Sequence, residues 1–198
     1  MSSLKKRYLK KFRYKIPDYI PEKFIKPKQV IDVISAWEGL DLIIPDILKR
    51  FNIGNETCIE FGVEFGFSAV VFSNYFSEVI GIDTFQGDIH TDHKGNHFEK
   101  TKASLAEFEN IKLIKSTYQE WIKADKRMYD FAHVDIIHTY EDTFECGMWA
   151  AMHSKCAIFH DTESFMEVRK AVIDIARYAG KKLYNYPFHN GLGIITEK

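Results

Sequence analysis

Seven short apolar runs, rich in β-branched and aromatic residues, recur along this chain, and helical spacing fills most gaps between them. The strand-like runs are Thr57–Gly62, Glu78–Asp83, Ile111–Lys115, Asp130–Ile136, Cys156–His160, Lys182–Tyr186 and Gly193–Thr196. Ser68–Phe76, His97–Phe108, Tyr118–Lys126, Tyr140–His153 and Glu163–Tyr178 carry apolar residues at helical intervals between them. Such alternation predicts an α/β three-layer sandwich, with a mostly parallel seven-stranded sheet covered by helices on both faces. Only "PFHNGL" separates the last two runs, so they form a C-terminal hairpin with one antiparallel strand, expected at the sheet edge. Two further helices are expected before the first strand, Gln29–Trp37 and Asp41–Phe51, with Pro45 near the second start and Gly54 past its end.

At 198 residues, the chain suits one packed domain over 29–198, preceded by a basic arm over 1–28. The arm holds ten Lys/Arg against Asp18 and Glu22, which leaves about −9 for the remainder from a net charge of −1. An arm of this charge suits an anionic partner such as a nucleotide-linked substrate, nucleic acid or a membrane surface, or else a solvated extension. The mildly acidic body argues against a dedicated nucleic-acid binder. No run reaches the roughly 18–20 apolar residues of a membrane span, and the charged N-terminus lacks a secretory apolar stretch. Cys58, Cys146 and Cys156 are odd in number and scattered, which points to a reducing cytoplasm rather than to a disulfide frame or zinc site.

The stretch "IEFGVEFGFSAV" ends the first strand on Gly62 and opens a helix after Gly66. Glycine there implies positive φ or a close neighbour. In a parallel sheet, ligands bind beyond the carboxyl ends of the strands, where the helix also offers free N–H groups. Glu60 precedes the first glycine by two residues, and "IGIDTF" puts Asp83 at the tip of the second strand, followed by Thr84. A carboxylate at that tip can accept from both hydroxyls of a ribose. Two glycines flanked by these acids suit a nucleoside, whereas a dinucleotide fingerprint requires a third glycine that is missing.

These blocks resemble class I S-adenosylmethionine-dependent methyltransferases, whose first motif is E/D-x-G-x-x-x-G-x-S/T. "GIDTFQGDIHT" and "FAHVDIIHTYEDTFECGMWAAMHSKCAIFHDT" are similar to a branch of small-molecule and sugar O-methyltransferases, over roughly Trp37 to Ile195. The resemblance implies a Rossmann-like fold, S-adenosylmethionine as cofactor and a small-molecule or sugar acceptor, with a homodimer compatible. Gly62, Gly66 and Ser68 would then flank the methionine part, with Glu60 supporting that loop or the amino group. Asp83 and Thr84 would hold the ribose, and Ser116, Thr117 and the following Tyr118 would meet the adenine edge. Asp135 would sit near the transferring methyl. A divalent cation, magnesium or manganese, would be held by Asp135, His160 and Asp161. Departures from the family pattern are Ile136, "SKC" at Ser154–Cys156 and "STY" at Ser116–Tyr118.

A sugar hydroxyl is a poor nucleophile, so it needs a base or a cation to lower its pKa. Asp135, His138 and His160 are the catalytic candidates, with His138 the candidate base. His90, His93 and His97 have zinc-compatible spacing but lie in a polar stretch, "QGDIHTDHKGNH", better read as a loop near substrate. Phe61, Phe65, Phe67, Phe72, Tyr75 and Phe76 follow element faces and should mostly be core. Two rival readings stand beside the methyltransferase: a nicotinamide-dependent oxidoreductase, and a catalytically degenerate module that binds through its basic arm.

Overall fold

A computed structural model describes residues 16–87 and 95–197. In chain order the elements are α1 (Ile44–Arg50), β1 (Thr57–Phe61), α2 (Phe67–Ser73), β2 (Glu78–Asp83), α3 (Phe98–Ser104), β3 (Ile111–Lys115) and α4 (Tyr118–Ala124). They continue with β4 (Tyr129–Val134), α5 (Tyr140–His153), β5 (Ser154–His160), α6 (Met166–Ala179), β6 (Lys182–Tyr186) and β7 (Leu192–Thr196).

The sheet order is β3-β2-β1-β4-β5-β7-β6. The first five strands pair in parallel, while β7 runs antiparallel to both β5 and β6. The reversed strand is therefore one place in from the edge, because the β6–β7 hairpin folds back toward β5. The order turns around between β1 and β4, which opens the crevice where α/β sheets bind ligands.

Strand periodicity divides the core between the two faces. Ile59, Phe61, Ala132, Val134, Ala157 and Phe159 face α4, α5 and α6. Cys58, Phe131, Cys156 and Ile158 face α1, α2 and the segment before α1. Helix α6 buries Val168, Ala171, Val172, Ile175 and Ala176, one face of a 3.6-residue repeat, and stops at Gly180 with φ +66°.

The expected helix Gln29–Trp37 is absent. Residues 31–35 are irregular, with a bend at Val33, a series of turns follows over 36–43, and α1 starts only at Ile44. Exposure alternates along 31–37, with Ile31, Val33 and Ser35 turned inward and Trp37 buried. β-Branched residues fit this two-residue repeat better than a helix, and Pro27 lies just upstream. Ile16 to Glu22 run beside β6, where Asp18 bridges Asn185. Asp46 clips them down, accepting from Tyr19 Oη at 2.5 Å and from the Glu22 N–H at 3.2 Å while pairing with Arg50 at 3.1 Å.

Candidate functional site

Beyond β1 the backbone turns through Gly62 (φ +87°), Glu64 (φ +52°) and Gly66 (φ +91°) into α2. A Cβ on Gly62 would overlap the backbone carbonyl oxygen of Asp135, and one on Gly66 would lie 2.6 Å from Leu105 Cδ1. The neighbours that press on both glycines are thus the protein's own atoms, in addition to the demand for positive φ. Asp83 holds the same turn. Its Oδ2 accepts from the N–H groups of Val63 (2.8 Å) and Glu64 (2.9 Å), and its Oδ1 from Phe85 (2.7 Å). An ionised carboxylate accepts about four hydrogen bonds, so capacity for a ligand hydroxyl remains after these three.

Glu60 is fully buried behind the turn. Its Oε1 accepts from Ser68 Oγ and meets His133 Nδ1 at 2.8 Å, and Trp37 Nε1 donates to His133 Nε2 at 3.2 Å. Because Nε2 accepts, His133 is the neutral Nδ1–H tautomer and donates to Glu60. Glu60 Oε2 meets no donor among the described residues. Ser116 Oγ reaches Glu120 Oε2 at 3.1 Å, and Thr117 caps α4 in a reciprocal capping box with Glu120.

Past β4 and β5 stand two acids and two histidines. His160 Nδ1 lies 3.0 Å from Asp135 Oδ2 and its Nε2 3.3 Å from the His189 carbonyl oxygen. Acceptors at both nitrogens favour the doubly donating, protonated form of His160. Burial disfavours that charge, but Asp135 and Asp161 outweigh it and push the ring's pKa up. His138 Nε2 lies 2.8 Å from Asp161 Oδ2 and 3.7 Å from Asp135 Oδ1, and its ring stacks on Phe165 at 4.1 Å. Against the cost of burial, the neighbouring carboxylates of Asp135 and Asp161 push its pKa up to about 9. Burial would raise the Asp135 carboxyl, yet charge from His160 and hydrogen bonds from both histidines hold it far below the usual carboxylate range.

Asp135, His138 and Asp161 each offer one atom within 4.8 Å of the others, a grouping of metal-site size. Two hard oxygens with one imidazole suit manganese better than magnesium. His160, expected among the ligands, instead directs both nitrogens at Asp135 and His189. Of the three loop histidines, His97 flanks the cavity, whereas His90 and His93 lie outside the described residues.

A cavity of about 910 Å³ spans the carboxyl ends of the strands and joins these parts. Its wall includes Gly62, Ser68, Asp83, Thr84, Ser116 and Thr117 on one side, and Asp135, His138, His160 and Asp161 on the other. Gly66 and Glu60 support the wall from behind. Trp37, Ser164, Phe165 and Asn190 also line it and went unnoticed in the sequence. Phe165 and Ser164 could have been sought just beyond Asp161, but Trp37 and Asn190 arrive from distant segments with no motif. Phe65, expected in the core, faces the cavity too.

A family model described as a methyltransferase domain matches residues 59–162, more than half of the chain. The chain belongs to this family. Its fold is that of the class I methyltransferases. Solved structures agree on the fold. A Streptococcus mutans protein described as a methyltransferase, in complex with SAH, superposes with TM-score 0.59 at 14% identity, over 82% of this chain and 98% of that one. A Bacillus cereus O-methyltransferase in complex with SAH gives 0.55 at 11% identity, over 83% and 82%. The SAH-bound methyltransferase of Podospora anserina gives 0.56 at 11%, over 72% of each chain. A search of curated proteins finds no match to the methyltransferase.

Proposed function

We propose that the protein transfers a methyl group from S-adenosylmethionine to a hydroxyl of a small molecule or sugar in the cytoplasm. The observation that carries this reading is one continuous cavity, which runs from the Asp83 clamp at the glycine turn to the Asp135–His138–Asp161 cluster. Its volume lies in the range that encloses a nucleoside-sized ligand with room for an acceptor. The lining chemistry fits the cofactor. Asp83 has acceptor capacity left for a ribose hydroxyl, and Thr84, Ser116 and Thr117 offer hydroxyls close by.

S-adenosylmethionine supplies an electrophilic methyl on sulfur, so the protein must align a nucleophile and manage its proton. His138 is an imidazolium at neutral pH and donates rather than accepts. Asp161 Oδ2, already a hydrogen-bond acceptor, is the atom that can take the proton of an acceptor hydroxyl, while His160 fixes the orientation of Asp135. Alternatively, with His138 deprotonated, Asp135, His138 and Asp161 would hold manganese or magnesium, which would supply Lewis acidity toward an acceptor hydroxyl. Phe165 and Asn190 give the acceptor side an apolar ring and an amide.

Calorimetric titration tests the cofactor assignment. S-adenosylmethionine should bind saturably and NAD should not. Asp83→Asn should weaken the binding about tenfold, through loss of a charge-assisted hydrogen bond. Saturable NAD binding with no response to S-adenosylmethionine would remove this reading in favour of the oxidoreductase.

A further inference from the structure

Half of the large apolar side chains exposed among the described residues lie in a single stretch of fifteen. Ile20, Phe24, Ile25, Val30 and Ile34 are between 46% and 96% exposed. This is not loose chain. The Arg50 guanidinium donates to the Ile20 carbonyl at 2.9 Å, the Ile25 N–H to Leu42 at 2.9 Å, and the Gln29 N–H to Asn74 Oδ1 at 2.8 Å. Ile31 meanwhile packs inward against two core clusters. The segment is pinned at intervals by its backbone while its apolar side chains point outward. Leaving such a set in water is unfavourable unless something covers it.

Charge says what that something is. Lys23, Lys26 and Lys28 are exposed among the apolar side chains, and of the two acids within the stretch, Glu22 and Asp32, Glu22 is paired with Arg50 at 3.8 Å. Residues 1–15 add seven Lys/Arg and no acid to the same end of the sequence. A second copy of the chain would set like charges against each other. Nucleic acid would use the lysines but not the isoleucines. An anionic bilayer satisfies both, because basic side chains meet headgroups while apolar ones enter the interface. The remaining body, at about −9, is repelled by such a surface and so holds the basic end toward it.

We propose that Ile20 to Ile34 form a docking face for an anionic lipid surface. Ile34, the most exposed of the five at 96%, also lines the cavity with Val33, Ala36 and Trp37. Docking therefore brings the mouth of the cavity to the lipid headgroups. If the methyltransferase reading above holds, an acceptor carried on a lipid would reach the site from that surface. The docking itself does not depend on that reading, and it is tested without any turnover.

The test uses the full chain with vesicles of phosphatidylcholine alone or mixed in equal parts with phosphatidylglycerol. Binding should occur only to the mixed vesicles. The combined change Lys23→Gln, Lys26→Gln and Lys28→Gln should weaken it about a hundredfold, at about 1 kcal/mol for each lysine near a charged surface. Phe24→Ser with Ile25→Ser should weaken it about tenfold by removing the inserted side chains. An environment-sensitive fluorophore on Ile34→Cys should shift to the blue on mixed vesicles. The same label on Met152→Cys, at the far end of α5, should not. Cys58, Cys146 and Cys156 are buried, with thiols pushed up by that burial, so they leave the labelling selective. Absence of binding, or equal binding to both vesicles, overturns the proposal. So does an apolar variant that binds as well as the native chain, which would mean a polyanion patch open to nucleic acid. A fluorophore at position 34 already blue-shifted without lipid also overturns it, since the protein or a second copy then covers the face.

Discussion

At the scale of single residues, Gly62 shows how little freedom the β1 tip has. Its φ of +87° is in the region that favours glycine, and a Cβ there meets the backbone of Asp135 rather than a side chain that could move aside. The left-handed conformation alone costs an L-residue roughly 1–2 kcal/mol, and displacing the Asp135 carbonyl adds to that. Because the Asp135 backbone N–H also donates to Phe61 at 2.8 Å, any shift passes directly into the acidic cluster. Gly62→Ala should therefore lower stability by about 3 kcal/mol or more, roughly 6–12 °C in Tm for a chain of this size. Gly180→Ala is the control. It shares a positive φ (+66°) but faces open space, so it should cost only about 1 kcal/mol. Equal losses in the two variants, measured by thermal unfolding, would show that conformation and not the Asp135 contact governs position 62.

At the scale of elements, the Asp46 clip decides where the N-terminal segment lies. Three donors converge on this buried carboxylate, and a fourth bond, Tyr19 N–H to the Asn185 carbonyl at 2.8 Å, holds the segment to β6. Asp46→Asn replaces an acceptor oxygen by an amide that cannot accept, at a cost of about 1–3 kcal/mol for the donor left behind. That cost should appear as local opening. Hydrogen exchange at the Tyr19 amide should speed up roughly tenfold or more, while the amides of Ile80 and Ile82 in β2 keep their protection. Uniform acceleration throughout the sheet would mean that the clip supports the whole fold. Elements of this kind mark the boundary of what the sequence discloses. β2, β3, β6 and α5 were legible to the residue, because an apolar run bounded by turn residues, or a long helical repeat, has one reading. Gln29–Trp37 is ambiguous because its apolar residues satisfy both periods in so short a window, and tertiary contacts at Ile31 and Trp37 exclude the helix. The acids and glycines of the site were legible because each sits at a strand tip. Trp37 and Asn190 were not, since only the folded course of the chain brings them there. Likewise, no spacing rule distinguishes His138 from His160. Their roles diverge through the His189 carbonyl, which comes from the β6–β7 hairpin.

At the scale of the whole molecule, the paired charges beyond β4 and β5 set how stability depends on pH. The His138 pKa rises from 6.5 to about 9 on folding. A group held above its unfolded value stabilises the fold fully below pH 6.5, and this contribution is lost as pH climbs through about 9. A rise of this size corresponds to at most about 3 kcal/mol, and His160 shifts in the same direction. Asp135 moves the opposite way, so its contribution is present above its ordinary value of 3.8 and disappears only as the solution becomes more acidic. With chelator present to keep cations away, the free energy of unfolding should be flat between about pH 4 and 6.5 and should then decline toward pH 9. His138→Gln keeps a hydrogen-bonding side chain but cannot become charged. It should be less stable than the native chain at pH 6 and nearly equal to it at pH 9.5, so the gap between the two curves closes across the alkaline range. The three buried thiols, pushed up by burial, add an alkaline decline of their own as the unfolded thiols ionise, but both proteins share it and it cancels in their difference. Urea titrations of both proteins across the range decide the matter. Parallel curves, with one offset at every pH, would mean that His138 acts through packing on Phe165 and that its charge contributes nothing to holding the two acids together.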